Sequence, residues 1–252
     1  MAADSRPWAT TIAAAIIGVA LVAGTLITAQ TIDYVKTFNT SLLTVTGTAE
    51  TVVTSDQVQW SGSYSVNASQ GNLKQGYAAM ANDASLVTAF LEKAGLPQSD
   101  ITLSPVSMNL NYVDCKASPS ACGPYGPDTY QLTQSVQVNS SQVQTVTRLA
   151  QNLEPLVQAG VPFSSQGLNY YYSRLAGLRA KMLADATRNA RQRADQITGS
   201  VGSHVGQLIS VTTEPFQITP VNSAQVSNGG QYDTTTIQKQ VQAIVQATFR
   251  LQ

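Results

Sequence analysis

Charge is what this chain has least of. Its 252 residues hold 14 Lys and Arg against 14 Asp and Glu, so charged side chains make up 11% and the formal net charge is zero. Nucleic-acid-binding domains usually carry a basic patch and a high pI. With a pI of about 6.6, no nucleic-acid partner is expected. Histidine is almost missing as well: His204 is the only one. Ser203 stands beside it, but neighbours on a strand point to opposite faces. No Gly-x-Ser-x-Gly elbow occurs either, so no catalytic residue is assigned. One His and two Cys fall short of a four-ligand zinc set, and Gly199, Gly202 and Gly206 lack the spacing of a nucleotide fingerprint. The expectation is no metal, no cofactor and no enzymatic activity. The two cysteines, Cys115 and Cys122, enclose six residues. In an oxidising compartment they are expected to form a local disulfide; a pair of free thiols is the alternative.

One long stretch lacks charge altogether. From Trp8 to Ile32 there is no Asp, Glu, Lys or Arg. As a helix rising about 1.5 Å per residue, this run crosses a hydrocarbon layer about 30 Å thick. Residues 1–7, with Arg6 and the terminal amine, are expected to stay in the cytoplasm, and the rest of the chain to lie outside. Residues 8–32 then act as a transmembrane signal anchor and 33–41 as a linker. A cleaved signal peptide is the rival reading, weakened by Thr28-Ala29-Gln30, a poor cleavage site.

Residues 42–252 form the domain. Leu42 to Val53 alternates apolar and polar residues and is rich in Thr and Val, as a strand should be. Gln57 to Asn67 alternates again, and the short Thr54-Ser55-Asp56 link suits a hairpin. From Leu73 to Ala94 the period changes to that of a helix, with Gly95 as its cap and Pro97 beyond. Asp100 to Val113 reads as a strand interrupted by Pro105, and Asp114 to Asp128 as a loop. Tyr130 to Val138 returns as a strand. Ser141 to Gln144 resembles a capping box for a helix that Pro155 should kink or shorten. Phe163 to Tyr172, Val205 to Ile218 (broken by Pro215) and Thr235 to Leu251 complete the strands. A linker rich in Ser, Asn, Gly and Gln spans about Pro220 to Gln231.

Arg174 to Gly202 is the longest helical stretch. Ala176, Ala180, Leu183, Thr187, Ala190, Ala194, Ile197 and Val201 recur at steps of four and three, a narrow seam of small residues. Arg174, Lys181 and Arg188 form a second row seven apart, which should face water and is the candidate interaction face. Lys181 with Asp185 and Arg191 with Asp195 are helix neighbours four apart. The expected fold is α+β: an antiparallel-rich sheet with three helices packed on one face, plus the N-terminal membrane helix.

The order of these pieces resembles the SIMPL domain family. Val45, Gly47 and Ala49 match its opening Val-x-Gly-x-Gly/Ala strand, and Gly95, Asp100 and Ile101 match its Gly-x-x-x-x-Asp-Ile pattern. Ala184, Ala190, Ala194, Gly199, Val201 and Gly202 match its Ala-rich helix. The resemblance covers about residues 42–252. It implies an α+β domain in the bacterial cell envelope, with no established catalytic residues to transfer; together with the membrane segment, the expectation is a domain on the outer side of the inner membrane. The cysteine-bearing loop departs from the family pattern. Two functions follow as expectations. One is a non-enzymatic, membrane-anchored envelope module that self-associates or holds an envelope protein partner. The alternative is an envelope hydrolase or small-ligand binder with a cleft near the 114–128 loop.

Overall fold

The computed structural model describes residues 42–112, 128–223, 227 and 229–252. The strands are β1 (Leu42–Thr54), β2 (Gln57–Ser69), β3 (Ile101–Leu103), β4 (Ser107–Tyr112), β5 (Asp128–Ser140), β6 (Phe163–Tyr171), β7 (Val205–Thr213), β8 (Gln217–Pro220), β9 (Gln231–Tyr232) and β10 (Gln238–Leu251). The helices are α1 (Leu73–Lys93), α2 (Val143–Gln151), α3 (Glu154–Gln158) and α4 (Leu175–Gly199). This is the expected α+β class, with two corrections. The described residues form two five-stranded sheets rather than one, and four helices rather than three packed on one face. No helix among them is long and apolar enough to cross a membrane. Residues 1–7, 8–32 and 33–41 lie outside the described residues, as do Cys115 and Cys122, so the anchor and the disulfide expectations fall there.

The hairpin expectation is also corrected. β1 pairs with β10 in one sheet, while β2 lies between β5 and β6 in the other. A short link permits a hairpin but does not dictate one. β2 finds a 12-residue antiparallel register on β5 and a second on β6, which satisfies both of its edges.

The described chain divides into two compact units. The larger holds residues 50–181 and 215–242. Its sheet has the order β3-β5-β2-β6, with β4 also on β5. Val58, Trp60 and Tyr64 of β2 are buried at every second residue, as a half-covered strand requires. Met80, Val87 and Leu91 of α1 pack into the same core. Gly76 lets α1 approach: a Cβ there would stand 2.8 Å from the Ala68 Cβ. Gly95 closes α1 with φ +91°, a left-handed conformation that glycine adopts without strain. Pro105 separates β3 from β4, and Pro155 falls in the first turn of α3, after α2 has ended at Gln151. Both prolines act as the sequence predicts. The capping box does not form: Gln142 is the N-cap of α2 and makes no side-chain cap bond. Ser140 Oγ instead accepts the Gln142 N–H at 3.1 Å.

The smaller unit holds residues 42–49, 182–214 and 243–252. There β10 carries β7, and β1 also pairs with β10. The buried residues of α4 are Met182, Ala186, Ala190, Ala194 and Thr198. Ala190 and Ala194 were expected in the seam. The other expected members are half-buried or exposed, and Ile197 and Val201 stand in the open. The seam steps strictly by four, so successive members move about 40° round a helix of 3.6 residues per turn. It follows an oblique ridge of side chains instead of a straight stripe.

Candidate functional site: the strand edges of the smaller unit

A strand at the border of a sheet exposes unpaired N–H and C=O groups, and natural proteins guard such edges. The smaller unit has two such borders, treated differently. On β1, the Thr48 N–H donates to Asn189 Oδ1 at 3.1 Å. Arg193 Nη1 donates to the Thr46 carbonyl at 3.0 Å. Two side chains of α4 thus occupy backbone groups of β1 that β10 leaves open.

The other border is β7. Arg191 secures its first residues. Its guanidinium donates to the carbonyls of Val205 and Gly206, each at 2.8 Å, pairs with Asp195 at 3.2 Å and lies 5.5 Å from the Phe249 ring centroid. Two register shifts follow, around Phe249. From Ser210 to Thr213 the pairing with β10 is regular. The Glu214 N–H donates to the Ile244 carbonyl. Glu214, Thr212 and Ser210 therefore turn their backbone groups toward β10, and Val211 and Thr213 turn theirs away from it.

Nothing among the described residues covers this outer edge. No charged residue or proline interrupts Val205–Thr213. Leu208, Ile209 and Val211 are 40%, 43% and 40% exposed. Val211 pairs with Ala247 and Leu208 with Phe249, so both side chains lie on the face where Ala247 and Phe249 are buried. The result is an apolar margin beside unpaired backbone.

Of the residues singled out in the sequence, Arg174, Lys181 and Arg188 are all exposed, as the row seven apart requires. Arg174 precedes α4 and pairs with Asp56 at 3.6 Å. Asp56 also accepts the Ser173 N–H and hydroxyl at 2.7 and 2.8 Å. Burial pushes the Asp56 carboxyl up, but the Ser173 bonds and the Arg174 charge outweigh it and hold it below its ordinary value. Arg188 pairs with Asp185, and Lys181 is exposed. The Lys181–Asp185 neighbour pair is therefore replaced by Arg188–Asp185, whereas Arg191–Asp195 forms as expected. His204 exchanges both backbone bonds with Gln252 at 2.9 Å, and Ser203 Oγ donates to the Gln252 carbonyl at 3.1 Å. The Ser203 hydroxyl is thus directed at backbone, not at the imidazole. No group of three or more His, Cys, Asp or Glu able to hold a metal occurs among the described residues.

Asn189 and Arg193 give only a helix-surface signal in the sequence, and Arg191 shows only its Asp195 partner, because their contacts on β1 and β7 are backbone groups that no side-chain pattern reports.

The geometry gives the sequence motifs a physical meaning. A Cβ on Gly47 would lie 2.1 Å from the Ala186 carbonyl oxygen and 2.5 Å from the Ala190 nitrogen. The small residues of strand and helix are two sides of one close contact. No curated protein matches the chain. The family described as SIMPL, a protein of unknown function (DUF541), matches residues 43–249, and the chain belongs to that family.

Proposed function

We propose that this protein is a non-enzymatic module of the bacterial cell envelope, anchored in the inner membrane by residues 8–32, that self-associates through the outer edge of β7. The uncovered, uncharged edge with Leu208, Ile209 and Val211 carries the reading. A second copy is the occupant that fits it. An antiparallel edge pairs with its own copy about a two-fold axis, the commonest symmetry of soluble oligomers, and the apolar margins then meet each other. Head-to-tail pairing of β7 on β1 is disfavoured by Asn189 and Arg193, which already occupy that border. The anchor rests on the charge-free run Trp8 to Ile32. The absence of turnover rests on an inventory with one histidine and no recognisable catalytic set.

The test is the mass of the full chain in mild detergent. Native protein is expected to run as a dimer or a larger assembly. Val211→Lys places a charge in the apolar margin and is expected to weaken assembly at least about tenfold while leaving the fold intact, since a surface change costs about 0.5 kcal/mol or less. A native protein that stays monomeric at micromolar concentration, or a Val211→Lys protein with unchanged mass, removes β7 as the interface. The anchor is checked separately. The intact chain should remain with membranes after a carbonate wash, and recovery of a soluble form beginning near Gln30 would establish cleavage instead.

A further inference from the structure

One end of the smaller unit leaves apolar side chains uncovered. Asn189 and Arg193 of α4 bond to Thr48 and Thr46 of β1, in that order. β1 and α4 therefore run antiparallel, and the last turns of α4 stand beside the first residues of β1. Between them lies a groove of about 570 Å³, lined by Thr44 to Thr46 on one side and by Arg193, Ile197 and Ser200 on the other. β10 ends and β7 begins here as well: His204 and Gln252 exchange backbone bonds at 2.9 Å, and Thr44 Oγ meets Thr248 Oγ at 3.0 Å. Ile197 is 48% exposed, and Val201, in the turn after α4, is 75% exposed. The side-chain charge at this end has one sign. Asp185 and Asp195 are paired with Arg188 and Arg191, and Glu214 follows the far end of β7. Arg193 gives Nη1 to the Thr46 carbonyl and among the described residues pairs with no acid.

We infer that this end docks on the surface of the bilayer that holds the anchor, with Ile197 and Val201 entering the headgroup boundary and Arg193 meeting lipid phosphate. The tether names the occupant. With residues 8–32 as the anchor, only the nine residues 33–41 separate the membrane from Leu42, a reach of at most about 32 Å when fully extended. The start of β1 and the end of α4 beside it are thus held near the lipid. The far end of β7 stands eight residues beyond Val205, roughly 27 Å further along the strand. A short linker keeps the surfaces it joins at about millimolar effective concentration, so a small patch is enough. The chemistry of the patch also matches. Exposed apolar side chains flanked by basic ones lodge at the headgroup boundary and are drawn to anionic lipid, and a guanidinium suits the phosphate. The inference rests on the anchor reading of residues 8–32 and is independent of the β7 edge.

The test places the full chain, labelled with nitrogen-15, in nanodiscs of phosphatidylcholine and phosphatidylglycerol carrying a trace of gadolinium-chelating lipid. The amide signals of Ser200, Val201 and Gly202 are expected to broaden, while those of Val211, Thr212 and Thr213 stay sharp. Nanodiscs of phosphatidylcholine alone should broaden the first group less. Ile197→Ser with Val201→Ser should weaken docking at least about tenfold, the worth of burying one such side chain; Val201→Ser alone covers the case in which the double variant fails to fold. Arg193→Gln should weaken docking about fivefold, and Arg193→Lys should restore it. Equal broadening at both ends of β7, or broadening unaltered in the serine variants, overturns the proposal. A chain retained in the nanodiscs with Ser200 to Gly202 unbroadened overturns docking and leaves the anchor standing, whereas a chain that elutes free of the nanodiscs overturns the anchor and docking together. Signals of Ser200 to Gly202 that shift with protein concentration in lipid-free detergent would assign this end to a second copy instead.

Discussion

Gly47→Ala is expected to lower stability by about 3 kcal/mol or more, at or above the top of the ~1–3 kcal/mol range for overpacked cores. The added methyl would meet the Ala186 carbonyl oxygen at 2.1 Å, the Ala190 nitrogen at 2.5 Å and the Ala190 Cβ at 2.7 Å. Backbone atoms cannot rotate aside as a long side chain can. Relief requires β1 to move from α4, which disturbs the Thr48–Asn189 and Thr46–Arg193 bonds as well. Ala190→Leu presses on the same contact from the helix side, where Ala190 is fully buried, and should cost about 1–3 kcal/mol. Gly177→Ala is the control. It lies on the same helix with nothing within 4 Å of a Cβ, and glycine in a helix is about 0.5–1 kcal/mol worse than alanine. Thermal unfolding should show Gly47→Ala melting about 6–12 °C below the native protein, taking about 2–4 °C per kcal/mol for a chain of this size. Gly177→Ala should melt at or above the native temperature. Equal melting temperatures for the two alanine variants would mean that β1 and α4 are not in close contact.

Elements were more legible in the sequence than their partners. β2 shows its alternation locally, and Gly95, Pro105 and Pro155 interrupt the chain where their backbone chemistry says they should. The phase of the α4 seam was harder to read. Ala176, Ala180, Ala184, Ala186, Ala190 and Ala194 all lie on one helix, and alanine suits a buried or an exposed position equally well, so periodicity alone left several seams open. The pairing of β1 was not legible either. Its partner β10 follows nearly 200 residues later, while a short link to β2 offered a local alternative. The candidate β7 edge stood in between. Its strand character was visible at Val205 to Thr213, but an edge is defined by a missing neighbour, and no property of the strand's own residues reports that. One further signal is legible in the sequence: β10 alternates Lys239, Val241, Ala243, Val245, Ala247 and Phe249 on one face. That parity puts a lysine on the buried side.

Lys239→Met is expected to destabilise the protein by about 3–5 kcal/mol, the cost of removing one partner from a buried pair. Lys239 is fully buried. Its ammonium donates to the Asp233 carbonyl at 2.7 Å, to Asp233 Oδ2 at 3.2 Å and to the Thr236 carbonyl at 2.6 Å. All three of its protons are thereby satisfied. Asp233 in turn accepts the N–H and hydroxyl of Thr235 and of Thr236. The turn from Asp233 to Thr236 is therefore wrapped round a single charge. It is tied to β8 by the Asp233 N–H on the Ile218 carbonyl and to β6 by the Tyr170 N–H on the Thr234 carbonyl. Methionine keeps the length of lysine but leaves two carbonyls and a carboxylate without their donor. The melting temperature should fall about 6–20 °C. The double variant with Asp233→Asn should cost less than the sum of the two single variants, because the residues share one network. Acid gives an independent check. Burial pushes the Asp233 carboxyl up, but the bonds from Thr236, Thr235 and Lys239 outweigh it and hold it far below 3.8. A carboxyl lowered by folding contributes stability that is complete above the unfolded value and lost as pH falls toward the folded one. The native melting temperature should therefore decline below about pH 4, and Asp233→Asn should flatten that decline. Lys239 runs the other way at alkaline pH. Burial lowers its pKa more than Asp233 raises it, so its own contribution to stability rises as pH climbs toward 10.5. An acid slope unchanged in Asp233→Asn, or a Lys239→Met protein melting within about 2 °C of the native one, would show that the threonine bonds hold this turn without the ion pair.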